Sequence, residues 1–174
     1  MHIEPDKSIS DDQTSSSDAS AKPDTLNEAL AELVLTLEHK SERPLFGSIL
    51  LVDESGKRLH RGAAPSLPET YSRQIDGIEI GPNAGSCGTA VFCGHPIYVV
   101  DIETDALWRD FKHMALSHGL RSCWSMPIIG SKNNILGTFA VYYKMARSAN
   151  DSERLIMTEG AKEAARLIES FRGF

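Results

Sequence analysis

Three cysteines and a scatter of small hydroxyl residues carry the chemistry this chain could perform. Cys87 and Cys93 fall in one short stretch, GPNAGSCGTAVFCGHPIYVV over Gly81 to Val100, and Cys123 follows some way downstream. If both lie on one short helix, Cys87 and Cys93 are about 9 Å apart along its axis and about 120° apart around it, so they cannot bridge without unwinding it. An odd number of cysteines in a chain with no export signal predicts reduced thiols rather than a disulfide framework.

Metal and acid–base readings are poorer. Cys93-Gly94-His95 offers a thiolate and an imidazole without the third and fourth ligands of a zinc site. His113 and His118 are five apart, about 140° around a helix, and do not share a metal as an i, i+4 pair could. Asp101, Glu103 and Asp105 cluster before a helical segment, where Asp105 suits an N-cap, but no nucleophile or electrophile accompanies them. Gly81, Gly85 and Gly88 suit a tight turn, yet no lysine follows Gly88-Thr89, so this is not a P-loop. Backbone amides over 86–89 could still meet an anion.

These residues need elements to hold them. Ser86 is an N-cap candidate for the short helix, which Gly94 and Pro96 stop before a strand running to Val100. An amphipathic helix is expected from Asp24 or Thr25 to about Lys40, with Leu26, Leu30, Leu33, Val34 and Leu37 on one stripe. Phe46 to Val52 reads as a strand, Asp53 to Gly56 as a hairpin turn, and Lys57 to Arg61 as its partner strand. Pro65 to Gln74 suggests a short helix at one sheet edge. A helix is expected over Ala106 to His118, with Leu107, Trp108, Phe111, Met114 and Ala115 inward and Gly119 at its end. Strands follow at 120–129 and 135–144, joined by a polar turn at 130–134. Asp151 or Ser152 then caps a last helix to about Phe171, whose apolar set includes Leu155, Ile156, Ala161, Ala164, Ala165, Leu167, Ile168 and Phe171.

The 174 residues suffice for one domain, and the net charge of −6 argues against a non-specific grip on nucleic acid. No apolar run is long enough for a membrane span and no signal peptide is visible, so a soluble cytoplasmic protein without membrane contact is expected. Residues 1–23, acidic and serine-rich, read as a disordered tail, and residues 24–174 as the folded domain. The element order predicts an α+β fold built on an antiparallel sheet.

The run from GPNAGSCGTAVFCGHPIYVV through DIETDALWRDFKHMALSHGLRSCWSMPI to ILGTFAVYY closely resembles the GAF domains of bacterial sensory proteins, which precede histidine kinase or diguanylate cyclase modules. The resemblance covers about Thr25 to Phe171. It implies a sheet of five to six strands with the N- and C-terminal helices packed on one face and crossover helices over a pocket on the other. The implied function is a non-catalytic sensory domain, homodimeric through its terminal helices, that relays a small-molecule effector to a histidine kinase or a cyclic-di-GMP-type output. Neither effector nor cofactor is named by the sequence. With no such module after Phe174, the chain reads as a free-standing domain or the input part of a longer one.

On this reading Cys87 and Thr89, Trp108 and Phe111, and Cys123 and Ser125 line the pocket from three stretches. The competing reading makes them plain core residues, or makes the domain a ligand-free interaction module. A further alternative is thiol chemistry, since GSCGTA resembles the matching segment of free methionine-(R)-sulfoxide reductase, which implies a thiolate at Cys87. The chain departs from that family: the reductase has a key cysteine in a Gly-His-Ile-Ala-Cys-Asp stretch where this chain has an aromatic helix, and Cys123 lies within the next strand.

Overall fold

The computed structural model describes residues 22–173. Most of the expected acidic tail, residues 1–21, lies outside them. Helix α1 (Leu26–Lys40) opens on a full capping box: the Glu28 amide donates to Thr25 Oγ1 at 3.2 Å, and Glu28 Oε2 accepts from the Thr25 amide at 3.1 Å. The chain continues through β1 (Phe46–Val52), β2 (Arg58–Ala63), α2 (Glu69–Ile75), β3 (Ile78–Glu79), α3 (Gly85–Cys93) and β4 (Ile97–Val99). A 3₁₀ turn (Ala106–Trp108), α4 (Lys112–Leu116), β5 (Ser122–Ile129), β6 (Ile135–Tyr143) and α5 (Asp151–Arg172) complete it.

The six strands form one antiparallel sheet in the order β3-β2-β1-β6-β5-β4, which establishes the α+β class expected. Strand side chains alternate between faces, and the two faces are covered by different helices. On one, Trp124, Ile128, Phe139 and Val141 meet Leu30 and Val34 of α1 and Met157, Ala164 and Ile168 of α5. Leu30 and Val34 are fully buried, and each such side chain contributes about 1.5–3 kcal/mol relative to exposure. On the other, Leu50, Cys123, Ala140 and Tyr142 lie under α2, α3 and the crossover segment.

Several local expectations need correction. The α5 cap is Asn150, not Asp151 or Ser152: Asn150 Oδ1 accepts from the Glu153 amide at 2.8 Å, and Glu153 Oε2 accepts from the Asn150 amide at 2.9 Å. The reciprocal bond to the glutamate selects the residue three before it. Leu155 and Phe171 are exposed, so the apolar stripe of α5 is narrower than its composition suggests. The span from Ala106 to His118 is not one helix. Successive i→i+3 bonds, from Trp108 to Asp105, Arg109 to Ala106, Phe111 to Trp108 and Met114 to Phe111, tighten it into a 3₁₀ turn and a short α-helix. Apolar spacing of three to four residues fits either geometry. Asp105 does cap the turn, accepting from the Leu107 amide at 2.9 Å, and Gly119 ends the segment at φ +76°. Helix α2 is not confined to a sheet edge, for Tyr71 reaches the central strand β6.

Gly137 faces Leu51 across the β1–β6 ladder, where an added Cβ would run into the Leu50 carbonyl oxygen. Backbone cannot yield as a flexible side chain can. Gly137→Ala is therefore expected to destabilise the domain by about 1–3 kcal/mol, read as a lowered urea midpoint.

Candidate functional site

The site grows from α3, which lies across β5 and β6. Its N-terminus is bent tightly into place by Gly85 at φ +64°, and Gly88 allows close approach to the Glu79 carbonyl, which a Cβ would meet at 3.0 Å. Thr89 turns back and accepts from the Ala84 amide at 3.1 Å, satisfying one of the orphan donors at the helix start. Ser86 does not cap the helix, whose N-cap position is Ala84. Its hydroxyl donates to the Cys123 carbonyl at 3.0 Å and accepts from Trp108 Nε1 at 2.9 Å. One buried hydroxyl thus joins α3, β5 and the crossover turn.

Cys87 is the next residue, and it is buried. Its Sγ lies 3.1 Å from Ser125 Oγ, and Cys123 Sγ lies 3.9 Å from the same oxygen. Tyr71 Oη donates to Tyr142 Oη at 2.9 Å, with the two rings edge to face. The Cys123 thiol facing it, followed by the Ser125, Tyr142 and Thr138 hydroxyls, holds the Cys87 thiol below its ordinary range against the opposing effect of burial. Burial, reinforced by Cys87, pushes Cys123 well above that range, and burial does the same for Tyr71 and Tyr142. If either thiol ionises here, it is Cys87.

This sheet face is unusually polar for a core. Ser48, Thr138, Ser125 and Cys123 all point to it, together with Ser72 of α2. Ser48 Oγ, Ser72 Oγ and Thr138 Oγ1 have no hydrogen-bond partner, although Thr138 is turned toward the Cys87 sulfur at longer range. A cavity of about 20 Å³, room for roughly one water, is lined by Leu50, Tyr71, Cys87, Trp108, Phe111 and Tyr142, among others. Of the six residues read from the sequence as pocket-lining, Cys87, Trp108 and Phe111 border it. Cys123 and Ser125 stand behind Cys87, and Thr89 is engaged with the Ala84 amide.

Sequence reasoning missed Tyr71, Tyr142, Ser86 and Thr138 as members of this cluster. Tyr142 and Thr138 sit in a strand buried on both faces, where period-2 patterning marks a side but not a role. The Asp101 carboxylate holds Arg121, with oxygens 3.0 and 3.1 Å from Nη2, and Glu103 reaches the same nitrogen at 3.0 Å. These acids brace a loop. His118 sets its ring edge to face against Tyr71, with centroids 5.8 Å apart. Among the described residues, no group of three or more His, Cys, Asp or Glu side chains could hold a metal ion, and no helix is long and apolar enough to cross a membrane.

A sheet flanked by paired terminal helices on one face and by α3 with a crossover on the other is the arrangement of a GAF domain. The GAF domain model matches residues 20–169, and the chain belongs to that family. It is 34% identical over 144 residues to the methyl sulfide methyltransferase-associated sensor of Methanosarcina acetivorans, a match over 81% of this chain and 14% of that protein. The chain therefore spans only a small part of that relative. A domain assigned to a two-component sensor histidine kinase of Sinorhizobium meliloti superposes with TM-score 0.70 at 23% identity, covering 86% of this chain and 94% of the other. Free methionine-R-sulfoxide reductase from Neisseria meningitidis superposes with TM-score 0.66 at 21% identity, covering 86% and 81%. Likeness at these identities is likeness of fold.

Ser86→Ala removes the acceptor of a buried indole N–H and the donor to a buried carbonyl together. It is expected to cost on the order of 1–3 kcal/mol in urea unfolding and to alter Trp108 fluorescence.

Proposed function

We propose that this chain is a non-catalytic sensory domain whose small-molecule effector lodges between α3 and the polar face of the sheet. The observation that carries the reading is the contrast between the two faces. The face under α1 and α5 is built on apolar side chains, with one buried unpartnered polar atom, Nη1 of Arg147, where that side chain lies over Trp124 and Tyr143. The face under α3 buries three hydroxyls that have no partner, each a cost that a purely structural core would have shed. On the same side of the sheet, the cavity lined by Tyr71, Cys87 and Tyr142 is about 20 Å³, too small for a metabolite. This supports a closed, effector-free state in which the crossover segment and α2 must lift to admit a ligand. The effector acts by preferring the open arrangement, and its leverage equals its differential affinity for the two states.

The response passes to the terminal helices, which share the opposite face of the same sheet. Leu35 on α1 and Leu155 and Phe171 on α5 are exposed apolar residues, which suits pairing of these helices between two copies. A histidine kinase or diguanylate cyclase module is the output that fits such a domain, and its setting is the cytoplasm. The sensor relative and the sensor-kinase fold neighbour support this class.

The test is a thermal-shift screen of nucleotides, amino acids and small metabolites. A ligand at a hundred times its dissociation constant adds about 2.7 kcal/mol to stability. The same ligand should give a reduced shift with Thr138→Val, which removes one of the unpartnered hydroxyls while keeping the volume. A flat response across the panel counts against an effector site. Leu155→Glu is expected to lower the light-scattering mass from dimer to monomer, and an unchanged mass removes the terminal-helix interface. In a steady-state assay with free methionine sulfoxide and a thiol reductant, no turnover is expected, because Trp108 and Phe111 occupy the crossover where the reductase has its cysteine.

A further inference from the structure

The Cys87 and Cys123 thiols come together from residues far apart in the chain, and a pocket wall needs two side chains of this size there but not two facing sulfurs. Both sulfurs lie within 3.9 Å of the single Ser125 hydroxyl oxygen. The backbone around them is already tied, since the Cys123 carbonyl accepts from Ser86, the residue before Cys87. The two thiols also act on each other directly, Cys123 being the first influence on the Cys87 thiol, so the side chains face one another across the α3–β5 contact. The third cysteine is set apart: Cys93 Sγ donates to the Thr89 carbonyl at 3.0 Å, six residues further along the helix.

We propose that Cys87 and Cys123 form a reversible intramolecular disulfide when a hydroperoxide reaches the cavity beneath α3, making this core a peroxide-responsive switch. Cys87 is the attacking thiol. It is the third residue of α3, where backbone amides favour a thiolate, it borders the cavity, and the Ser125 hydroxyl is at its sulfur. The ordering of the two acidities, Cys87 below and Cys123 above the usual thiol range, agrees with that assignment. In the first step the Cys87 thiolate attacks one peroxide oxygen and the O–O bond breaks. Cys87 becomes a sulfenic acid, and the departing hydroxide takes up the proton that the thiol gave. In the second step the Cys123 sulfur displaces the sulfenic oxygen, and water leaves with the Cys123 proton. Two thiols and one hydrogen peroxide thus yield one disulfide and two waters, with two electrons passing from sulfur to oxygen. An external dithiol returns the pair to the reduced state.

The cavity sets the oxidant's size. In the closed arrangement a space of about 20 Å³ is on the scale of the smallest oxidants, such as hydrogen peroxide, and is too small for aromatic or peptide disulfides. This reaction needs no effector, so it stands or falls separately from the sensory reading.

The experiment treats the full chain with hydrogen peroxide, blocks remaining thiols with N-ethylmaleimide, and maps peptides by mass spectrometry without reduction. The expected product is a peptide pair joined through Cys87 and Cys123, with Cys93 alkylated and the link lost on adding dithiothreitol. With Cys123→Ser the intermediate should accumulate and react with dimedone at Cys87. The wild-type map requires no variant, so the result holds even if that substitution disturbs folding. A link through Cys93, a bond between chains, or both Cys87 and Cys123 still alkylated after unfolding at millimolar peroxide would falsify the proposal. Oxidation of the native protein by 5,5′-dithiobis(2-nitrobenzoate) at Cys87 as fast as by peroxide would overturn the size argument and with it the role of the cavity.

Discussion

The Ser86 hydroxyl is where this molecule is tied together. It donates to the backbone of β5 and accepts from the Trp108 indole, so a single oxygen determines the separation of α3 from the sheet and the position of the crossover above it. Both partners are buried, and in a low-dielectric interior each bond gains strength while a missing one leaves a polar group stranded. Cys87 follows directly on the helix, so its placement against Ser125 is inherited from that anchor.

The sheet beneath this anchor has a division of labour. Its apolar face, closed by α1 and α5, supplies the hydrophobic burial on which stability rests. Its polar face gives up some of that stability to unpartnered hydroxyls and to two thiols in unequal environments. Unpartnered hydroxyls and perturbed thiols gather on this face, while the other carries the Arg147 side chain over Trp124 and Tyr143. Gly137, paired with Leu51 where an added Cβ would meet the Leu50 carbonyl, lets β6 lie against β1 at the centre of the sheet.

The effector reading and the thiol pair both depend on the same short segment of crossover. Its 3₁₀ and α turns use i→i+3 bonds and only a few helical residues, so it is less cooperative than the long terminal helices. Trp108 and Phe111 of this crossover line the cavity together with Cys87.

Much of this architecture was legible in the residues. The α1 stripe of Leu30, Val34 and Leu37, the strands β1 and β6, the Asp105 cap and the Gly119 exit all follow from local periodicity and turn chemistry, which act over a few residues. The family resemblance extended that to the layer arrangement. What periodicity could not reach were contacts across the chain. It excluded a Cys87–Cys93 bridge but could not set Cys87 at a distance from Cys123, which only the resemblance grouped with it in one pocket; it read Ser86 as a cap when the hydroxyl reaches β5; and it left Tyr71 and Tyr142 unconnected. By itself the sequence determined most of the residues that face inward, since burial of apolar surface needs only pattern, and it erred at Leu155 and Phe171, where the helix ends turn to the surface. Only the tertiary structure decided which of them meet, because hydrogen bonds and thiol neighbours depend on distances of a few tenths of an ångström between elements that the pattern treats as independent.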